Sequence, residues 1–126
     1  MRDFVIHVTD RPGEIARVAN ALARRDVNIK SITGMGVANQ GLIRVIADDI
    51  DAARTALRES NIRFEEAELV TVLLENKAGE LAGVAGKLAN AGLNVQALYV
   101  IGLEGDLVEL AFAVDDAKRA KKALES

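Results

Sequence analysis

Two short stretches carry an acidic or amide side chain three residues before a glycine, at the start of a predicted helix. The first is residues 10–15, Asp-Arg-Pro-Gly-Glu-Ile, and the second is residues 76–81, Asn-Lys-Ala-Gly-Glu-Leu. Each follows an apolar run that predicts a strand, and a strand ending where a helix begins leaves backbone N–H groups unpaired at one point. With the helix dipole, such groups favour a small anion. The sequence therefore predicts two small-anion sites.

The first stretch has the groups needed to hold a zwitterion. The N–H groups of Gly13, Glu14 and Ile15 suit a carboxylate, and glycine lets a ligand approach the backbone closely. Asp10 would repel a bare carboxylate but can accept hydrogen bonds from an ammonium group. Asn76 can both donate and accept, so we expect the second site to select a cationic group less strictly. The alternative is that Asp10 and Asn76 only accept N–H bonds at the helix starts.

Composition excludes several other functions. The chain has 126 residues, a formal charge of −3, 3% aromatic residues and no cysteine. These values argue against nucleic-acid or anionic-membrane partners and exclude disulfides and thiolate catalysis. A single histidine, His7, is a poor metal site, and Ser31, Ser60 and Ser126 lie in no nucleophile motif. We therefore expect no catalytic residues, no metal and no cofactor, in a cytoplasmic protein without a membrane span.

Paired acids occur at the ends of predicted elements, at residues 48–49, 65–66 and 115–116. Acid–base catalysis is one possible use of such pairs. Their positions instead favour hydrogen bonding to helix starts and solvent exposure.

The hydrophobic pattern predicts alternating strands and helices. The first helix should begin with Pro12 at its first position and bury Ile15, Val18, Ala19, Leu22 and Ala23. The loop between the second and third strands should turn at residues 39–41, and that between the last two strands at residues 104–106. The predicted strands are residues 4–9, 27–35, 42–47, 62–66, 68–74 and 107–114, with a final helix over 116–124.

The second half repeats the first. Residues 79–98 match residues 13–32 at a constant offset, with identical residues at positions such as Gly13/Gly79, Val18/Val84 and Leu22/Leu88. We therefore predict an α+β fold of two tandem ferredoxin-like βαββαβ units, residues 1–67 and 68–126. Their sheets should be antiparallel, with the helices on one face. The last strand of the second unit is missing, and a homodimer could cover the strand edge that this leaves unpaired.

The turn, the amphipathic helix and the Asn-Ile or Asn-Val that opens the next strand together resemble the ACT domain, in two tandem copies that cover essentially the whole chain. Asp26 and Ala78 stand where that family favours glycine and proline. The resemblance implies regulatory binding of a free amino acid, commonly at an interface between two units. The ligand-binding residues it implies are Asp10, Pro12, Gly13, Glu14, Ile15, Asn28 and Ile29 in the first copy, and Asn76, Ala78, Gly79, Glu80, Leu81, Asn94 and Val95 in the second.

Three functions remain open from the sequence. The leading one is a non-enzymatic sensor that binds an amino acid and acts allosterically on a partner, such as a metabolic enzyme. The second is a structural or interaction module without a ligand, assembling through sheet edges, in which Asn28 and Asn94 are ordinary turn residues. A hydrolase ranks third because no activated nucleophile is visible.

The first helix of the second copy also carries a stripe of small residues that includes Gly83 and Gly86, where the first copy has Arg17 and Asn20. Glycine inside a helix is unfavourable by about 1 kcal/mol relative to alanine. We therefore expect this helix to pack against another helix or a second chain.

Overall fold

The computed structural model describes residues 1–125 and contains six strands and four helices. The elements, in chain order, are β1 (Arg2–Thr9), α1 (Glu14–Arg24), β2 (Ile29–Val37), β3 (Gln40–Ala47), α2 (Ile50–Glu59), β4 (Glu65–Glu75), α3 (Glu80–Asn90), β5 (Val95–Glu104), β6 (Leu107–Val114) and α4 (Ala117–Glu125). The order β-α-β-β-α therefore occurs twice.

The chain divides into two compact units, Arg2–Ala67 and Glu68–Ser126, the latter together with Met1. In the first unit the strands are ordered β2-β3-β1, and in the second β4-β6-β5, with antiparallel pairing throughout. Each unit has its own core between the helices and one sheet face. Phe4, Leu22 and Leu57 anchor the first core, and Leu88 and Phe112 anchor the second. This confirms the predicted tandem ferredoxin-like fold.

One predicted strand boundary is wrong. Residues 62–66 and 68–74 do not form two strands, because β4 runs without interruption from Glu65 to Glu75. Ile62 is buried in the first core and precedes the strand. The continuous strand β4 is therefore both the last strand of the first β-α-β-β-α-β order and the first strand of the second. Within residues 1–125 no strand follows α4.

The hairpin between β2 and β3 turns one residue earlier than predicted. Its two turn residues are Ala38 and Asn39, both with positive φ (51° and 68°), whereas the prediction placed the turn at residues 39–41. Two positive φ angles characterise the type I′ turn, whose twist matches that of the flanking strands. The β5–β6 hairpin turns at Gly105 and Asp106, within the predicted range.

The first helix of each repeat ends in the same way. In both, a residue with positive φ, Asp26 (56°) or Gly92 (73°), allows the next N–H to return to the helix, as Val27 to Leu22 O and Leu93 to Leu88 O. Asp26 thus adopts the left-handed conformation that glycine adopts in the second repeat. Aspartate tolerates this conformation better than most residues.

Two of the three acid pairs cap helix starts, as predicted, whereas Glu66 of the third pair binds an arginine instead. Asp49 accepts the N–H of Ala52 at the start of α2, and Asp116 accepts that of Arg119 in α4. Glu66 bonds to the guanidinium of Arg54 at 2.8 Å. These contacts give the acids structural roles.

Candidate functional site

The turn between β1 and α1 ends in a glycine with a left-handed backbone. Gly13 is the N-cap of α1, with φ of 95°, and Gly79 is the N-cap of α3, with φ of 92°. Pro12 therefore lies in the turn, and the prediction that it is the first helical residue is wrong. Neither helix start receives a side-chain capping bond, so the capping role considered for Asp10 and Asn76 is also wrong.

Backbone donors at the start of α1 point away from protein acceptors. The first helical bond runs from the Arg17 N–H to Gly13 O, at 2.9 Å. Within residues 1–125, the N–H groups of Gly13, Glu14 and Ile15 have no acceptor. The start of α3 differs, because Glu80 N–H bonds to Lys77 O at 3.4 Å. The first repeat thus offers three adjacent free donors at the positive end of a helix dipole.

A hydrogen bond holds the backbone of Asp10, whereas its side chain has no bonding partner among the described residues. Its N–H donates to Asn39 O at 3.0 Å, which ties the end of β1 to the β2–β3 hairpin. Its carboxylate lies against Gly36 of β2: a Cβ added there would be 2.8 Å from Asp10 Oδ1 and closer still to Cγ and Oδ2. Among the described residues the carboxylate has no hydrogen bond or ion pair. The anion is therefore available to a cationic ligand group.

Glu14 is a second carboxylate in this turn, but it is fully engaged. Arg11 Nε donates to its Oε1 at 2.9 Å, and Arg17 Nε donates to Oε2 at 3.0 Å. The Arg17 hydrogen bond, with that of Arg11, lowers the pKa of Glu14 against the opposing effect of burial. The side chain is 8% exposed, so α1 buries Glu14, whereas the sequence predicted that Ile15 would be buried. One carboxylate therefore holds two guanidinium groups, and the three side chains together keep one positive charge in excess.

These groups border one cleft of about 260 Å³. Asp10, Pro12, Gly13, Glu14 and Ile15, all predicted from the sequence, lie together on its wall. Aliphatic residues from the neighbouring strands, including Val8 and Ile43, complete it. Its volume is just below the range of roughly 300–1,000 Å³ that holds drug-sized ligands. A small metabolite is the ligand that fits this space.

Ile15 and Ala23 are exposed, contrary to the predicted buried face of α1. The helix instead buries Val18, Ala21 and Leu22, together with Glu14. Ile15 is 56% exposed, and its Cδ1 lies 3.5 Å from the position that a Cβ on Gly34 would occupy. Its side chain therefore reaches over β2 at the edge of the cleft.

Asn28 and Ile29 do not border this cleft. The Asn28 N–H donates to Asp48 at 3.1 Å, and Ile29 packs against the first core. In the second repeat, Asn94 N–H donates to Asp115 at 3.2 Å. These contacts join the loop before the second strand of each repeat to the end of the third strand. Both bonds are donated by the backbone N–H, so any residue except proline could make them.

The second repeat keeps the backbone of the turn but changes its side chains. Asn76 N–H bonds to Asp106 O at 2.7 Å, the counterpart of the Asp10–Asn39 bond. Lys77 pairs with Glu75 at 2.8 Å rather than with Glu80. Ala78 and Gly79 are exposed, Leu81 is 44% exposed, and Val95 packs against the second core. The donors and charges of the first site are therefore only partly reproduced.

Sequence reasoning missed Gly34 and Gly36. Because alternate residues of a strand face the same side, the pair faces α1 together with Ile32, whose partner Val45 lies in the first core. Gly36 accommodates the Asp10 carboxylate, and Gly34 lies beneath Ile15, where a Cβ would make an ordinary 3.5 Å contact with Ile15 Cδ1. The spacing of two glycines within a predicted strand was a visible signal, since strand glycines often mark a close approach.

A larger cleft of about 1150 Å³ lies elsewhere in the first unit, beside His7, Arg58 and residues 61–66. It is wide open, and it mixes cations with the carboxylates of Glu65 and Glu66. The smaller cleft is the better candidate because it combines an unpaired carboxylate with a row of free donors. Residues 1–125 contain no cluster of acidic or histidine side chains arranged to hold a metal ion. No helix among them is long and apolar enough to cross a membrane.

A family model described as "ACT domain pair" matches residues 1–125. No curated protein matches the sequence. Among solved structures, protein BT0572 from Bacteroides thetaiotaomicron is 21% identical, with a TM-score of 0.87; the match covers 98% of this chain and 85% of that one. The regulatory subunit of aspartate kinase from Thermus thermophilus, in its ligand-free form, is 18% identical, with a TM-score of 0.65 and coverage of 98% and 89%.

A third solved structure is aspartokinase III from E. coli in complex with lysine and aspartate. It is 20% identical over 98% of this chain and 30% of that one, with a TM-score of 0.55. At these identities the likeness shows a shared fold. The family match over residues 1–125 shows more: the chain belongs to the family of paired ACT domains, a regulatory rather than a catalytic domain type.

Proposed function

We propose that this protein is a regulatory sensor that binds a free amino acid at the cleft of its first repeat. The observation that carries the proposal is the pairing of opposite chemistries at one turn. The unpaired carboxylate of Asp10 and the free N–H groups of Gly13, Glu14 and Ile15 border the same cleft. An α-amino acid presents an ammonium and a carboxylate group a few ångströms apart, which is the complementary arrangement.

Each group of the site has a defined task in this proposal. Asp10 accepts hydrogen bonds from the ligand ammonium group, and charge-assisted bonds of this kind are about twice as strong as neutral ones. The helix N–H groups bind the ligand carboxylate. The positive φ of Gly13 (95°) orients these donors, and its lack of a Cβ leaves the approach open. Glu14 holds Arg11 and Arg17 and so fixes the first turn of α1.

The comparisons support the same class of ligand. Aspartokinase III from E. coli, which shares the fold, was crystallised with lysine and aspartate. The Thermus thermophilus neighbour is the regulatory subunit of an aspartate kinase. We propose by analogy that this chain acts on a partner, such as a metabolic enzyme, in the cytoplasm as a homodimer. A ligand changes that partner only if it binds one assembly state better than another.

The second repeat should bind the same class of ligand with less selectivity. Asn76 is neutral where Asp10 is charged, and Glu80 N–H already has an acceptor at Lys77 O. A neutral amide can serve either a donor or an acceptor on the ligand. We therefore expect the first repeat to demand the ammonium group more strictly.

Isothermal titration calorimetry with the twenty amino acids tests the proposal. The best ligand is then compared with its N-acetyl derivative, which keeps the carboxylate but loses the positive charge. We expect wild-type protein to bind the derivative at least tenfold more weakly. Asp10→Asn should lower affinity for the free amino acid by a similar factor. Equal binding of both compounds at the first site would contradict the role of Asp10.

Asp26→Asn is the matched control for that variant. It removes the same charge from an exposed position of the same unit, and asparagine tolerates the positive φ found there (56°). Its affinity should equal that of the wild type. A loss equal to that of Asp10→Asn would assign the effect to net charge instead of to the cleft.

A structural or interaction module is the second candidate, favoured by exposed apolar residues on the outer strands. Met35 and Val37 on β2 are 60% and 66% exposed, and Val100 and Leu103 on β5 are 51% and 73% exposed. Apolar edge strands invite pairing with another chain. A flat response to all twenty amino acids, together with a stable oligomer, would favour this candidate.

A further inference from the structure

We propose that the cleft of the first repeat favours an amino acid with an acidic side chain, and that Arg11 binds the side-chain carboxylate. This inference rests on the proposed function and adds the class of ligand. It depends on the charges that border the cleft, on the unused donors of Arg11 and on the contrast with the second repeat.

Arg11 has donors that no protein group uses. The residue borders the cleft, and its side chain is 67% exposed. A guanidinium group carries five N–H donors in a planar fork. Within residues 1–125, the side chain of Arg11 donates only from Nε, to Glu14 at 2.9 Å. Its terminal nitrogens, Nη1 and Nη2, are therefore available to bind a carboxylate through two parallel hydrogen bonds.

Arg11 and Arg17 share one counterion. Arg17 also donates from its Nε to Glu14, at 3.0 Å, so one buried carboxylate serves two guanidinium groups and leaves one positive charge in excess. Asp10 does not cancel this charge. Asp10 and Arg11 are neighbours in the chain and both border the cleft, but they form no ion pair. A partly uncompensated cation and an uncompensated anion therefore lie on one wall without pairing.

These charges match those of a dicarboxylic amino acid. In the proposed function, Asp10 binds the ligand ammonium group and the free N–H groups at the start of α1 bind the α-carboxylate. A second ligand carboxylate then has Arg11 as its partner. A neutral side chain leaves the excess positive charge uncompensated, and a basic side chain adds a second cation beside it.

Charge, and not size, separates acidic side chains from their amides. Glutamate and glutamine, like aspartate and asparagine, have nearly the same volume, so the cleft of about 260 Å³ does not discriminate within either pair. A hydrogen bond between two charged groups is stronger than one to a neutral amide. Because Arg11 is largely exposed, water and salt weaken its ion pairs. We therefore expect roughly a tenfold preference for the acid over its amide, which decreases as salt is added.

The second repeat has the opposite charge balance at the equivalent turn. Lys77 stands at the position of Arg11, but it pairs with Glu75 at 2.8 Å. Glu80, the equivalent of Glu14, has no ion pair within residues 1–125. These three side chains of the second repeat therefore keep one negative charge in excess. The preference for an acidic ligand side chain is accordingly a property of the first repeat.

Isothermal titration calorimetry with L-glutamate, L-glutamine, L-aspartate and L-asparagine tests the inference on the full chain. We expect wild-type protein to bind at least one of the acids roughly tenfold more tightly than its amide. Arg11→Gln should reduce that ratio to less than about threefold, because it removes the charged partner of the side chain and leaves the groups that bind the α-amino and α-carboxylate groups. The variant should fold, since an exposed ion pair contributes little to stability.

Arg24→Gln is the matched control. Arg24 is an exposed residue in the last turn of α1 and does not border the cleft, so its substitution removes the same charge from the same helix. The ratio of acid to amide affinity should equal that of the wild type. An equal loss of this ratio in both variants would assign the preference to net charge and overturn the role of Arg11.

The other outcomes separate the inference from the function on which it depends. If Arg11→Gln weakens binding of the acid and its amide by the same factor, Arg11 binds the α-carboxylate, and the acidic assignment is overturned with amino-acid sensing intact. Tighter binding of a neutral or basic amino acid by the wild type would also overturn it. Absence of binding by all twenty amino acids would overturn the proposed function and this inference together.

Discussion

The carboxylate of Asp10 contacts the backbone of Gly36 so closely that a Cβ does not fit at residue 36. An added Cβ would be 2.8 Å from Oδ1, below any normal separation. The contact joins the end of β1 to β2, so that the acidic group stands at the mouth of the cleft. Residue 36 therefore controls where the Asp10 side chain points, although it contributes no side chain of its own.

Gly36→Ala should weaken ligand binding without unfolding the protein. The added methyl group displaces the Asp10 carboxylate, and that side chain can rotate away because it has no other partner among the described residues. We expect at least a tenfold loss of affinity in calorimetry, with a melting temperature within a few degrees of the wild type. Gly102→Ala is the control, since its Cβ has only an ordinary 3.5 Å contact with Glu109 in the second repeat. Unchanged affinity in Gly36→Ala would show that the Asp10 position is not set by Gly36.

The Glu14 ion pairs should make part of the stability depend on pH. Hydrogen bonds from Arg17 and Arg11 lower the pKa of Glu14 below its ordinary value of 4.5. Stability from a lowered carboxyl pKa is complete above the pKa of the unfolded chain and is lost as pH falls through the folded value. Glu14→Gln should therefore lower the melting temperature at pH 7, and the difference from wild type should shrink below about pH 4.5.

Glu80→Gln is the matched control for that measurement. Glu80 holds the equivalent position in α3, but Gly83 replaces Arg17, and Lys77 bonds to Glu75. Its substitution should change the melting temperature little at either pH. If the melting-temperature difference between Glu14→Gln and the wild type stays constant between pH 7 and about pH 3, the contribution of Glu14 to stability does not depend on its charge.

Among residues 1–125, nothing covers Gly83 and Gly86 in the small-residue stripe of α3. A Cβ added to Gly83 or Gly86 would meet no heavy atom within 4 Å outside the helix. The expectation that another helix of the same chain covers them is therefore wrong, and packing against a second chain stays a prediction. We expect Gly83→Arg to lower the oligomeric state in analytical ultracentrifugation, with the folded monomer retained.

Gly83→Ala separates assembly from helix propensity. Alanine should stabilise an uncovered helix by about 1 kcal/mol relative to glycine. Denaturant unfolding of this variant measures that gain directly. If Gly83→Arg keeps the wild-type oligomer, the stripe is an exposed surface without a partner.

The sequence was sufficient for the fold because its signals were periodic and duplicated. The match of Val18 and Leu22 to Val84 and Leu88 marked two equivalent helices, and both occupy the predicted cores. Strand boundaries were less predictable. Residues 62–66 and 68–74 have similar patterns, and only the pairing of neighbouring strands decides whether they form one strand or two.

The site was predictable in its backbone and less so in its side chains. Gly13 and the free donors follow from local turn chemistry. Helical periodicity placed Ile15 in the core, but the structure exposes Ile15 and buries Glu14, whose carboxylate is bonded to Arg11 and Arg17. The roles of Gly34 and Gly36 depend on contacts with residues about twenty positions away. Such contacts cannot be derived from the pattern of a single strand.

Asp3 and Arg44 form a buried pair on the sheet face opposite the helices, and their side chains are 0% and 9% exposed. Arg44 Nε donates to Asp3 Oδ2 at 2.6 Å, and Arg44 Nη2 donates to Asp3 Oδ1 at 3.2 Å. Removing one partner leaves a buried charge, which destabilises a protein by about 3–5 kcal/mol. Asp3→Leu or Arg44→Ala alone should therefore lower the free energy of unfolding by about that amount in denaturant titrations.

The second repeat indicates how the same positions can be filled without charge. By strand register, Leu69 and Ala111 stand where Asp3 and Arg44 stand, and both are fully buried. The double variant Asp3→Leu/Arg44→Ala should recover most of the stability lost by either single change, because replacing a buried ion pair by apolar residues is often neutral. Double-mutant energies that simply add would show that the two side chains act independently, despite their hydrogen bonds.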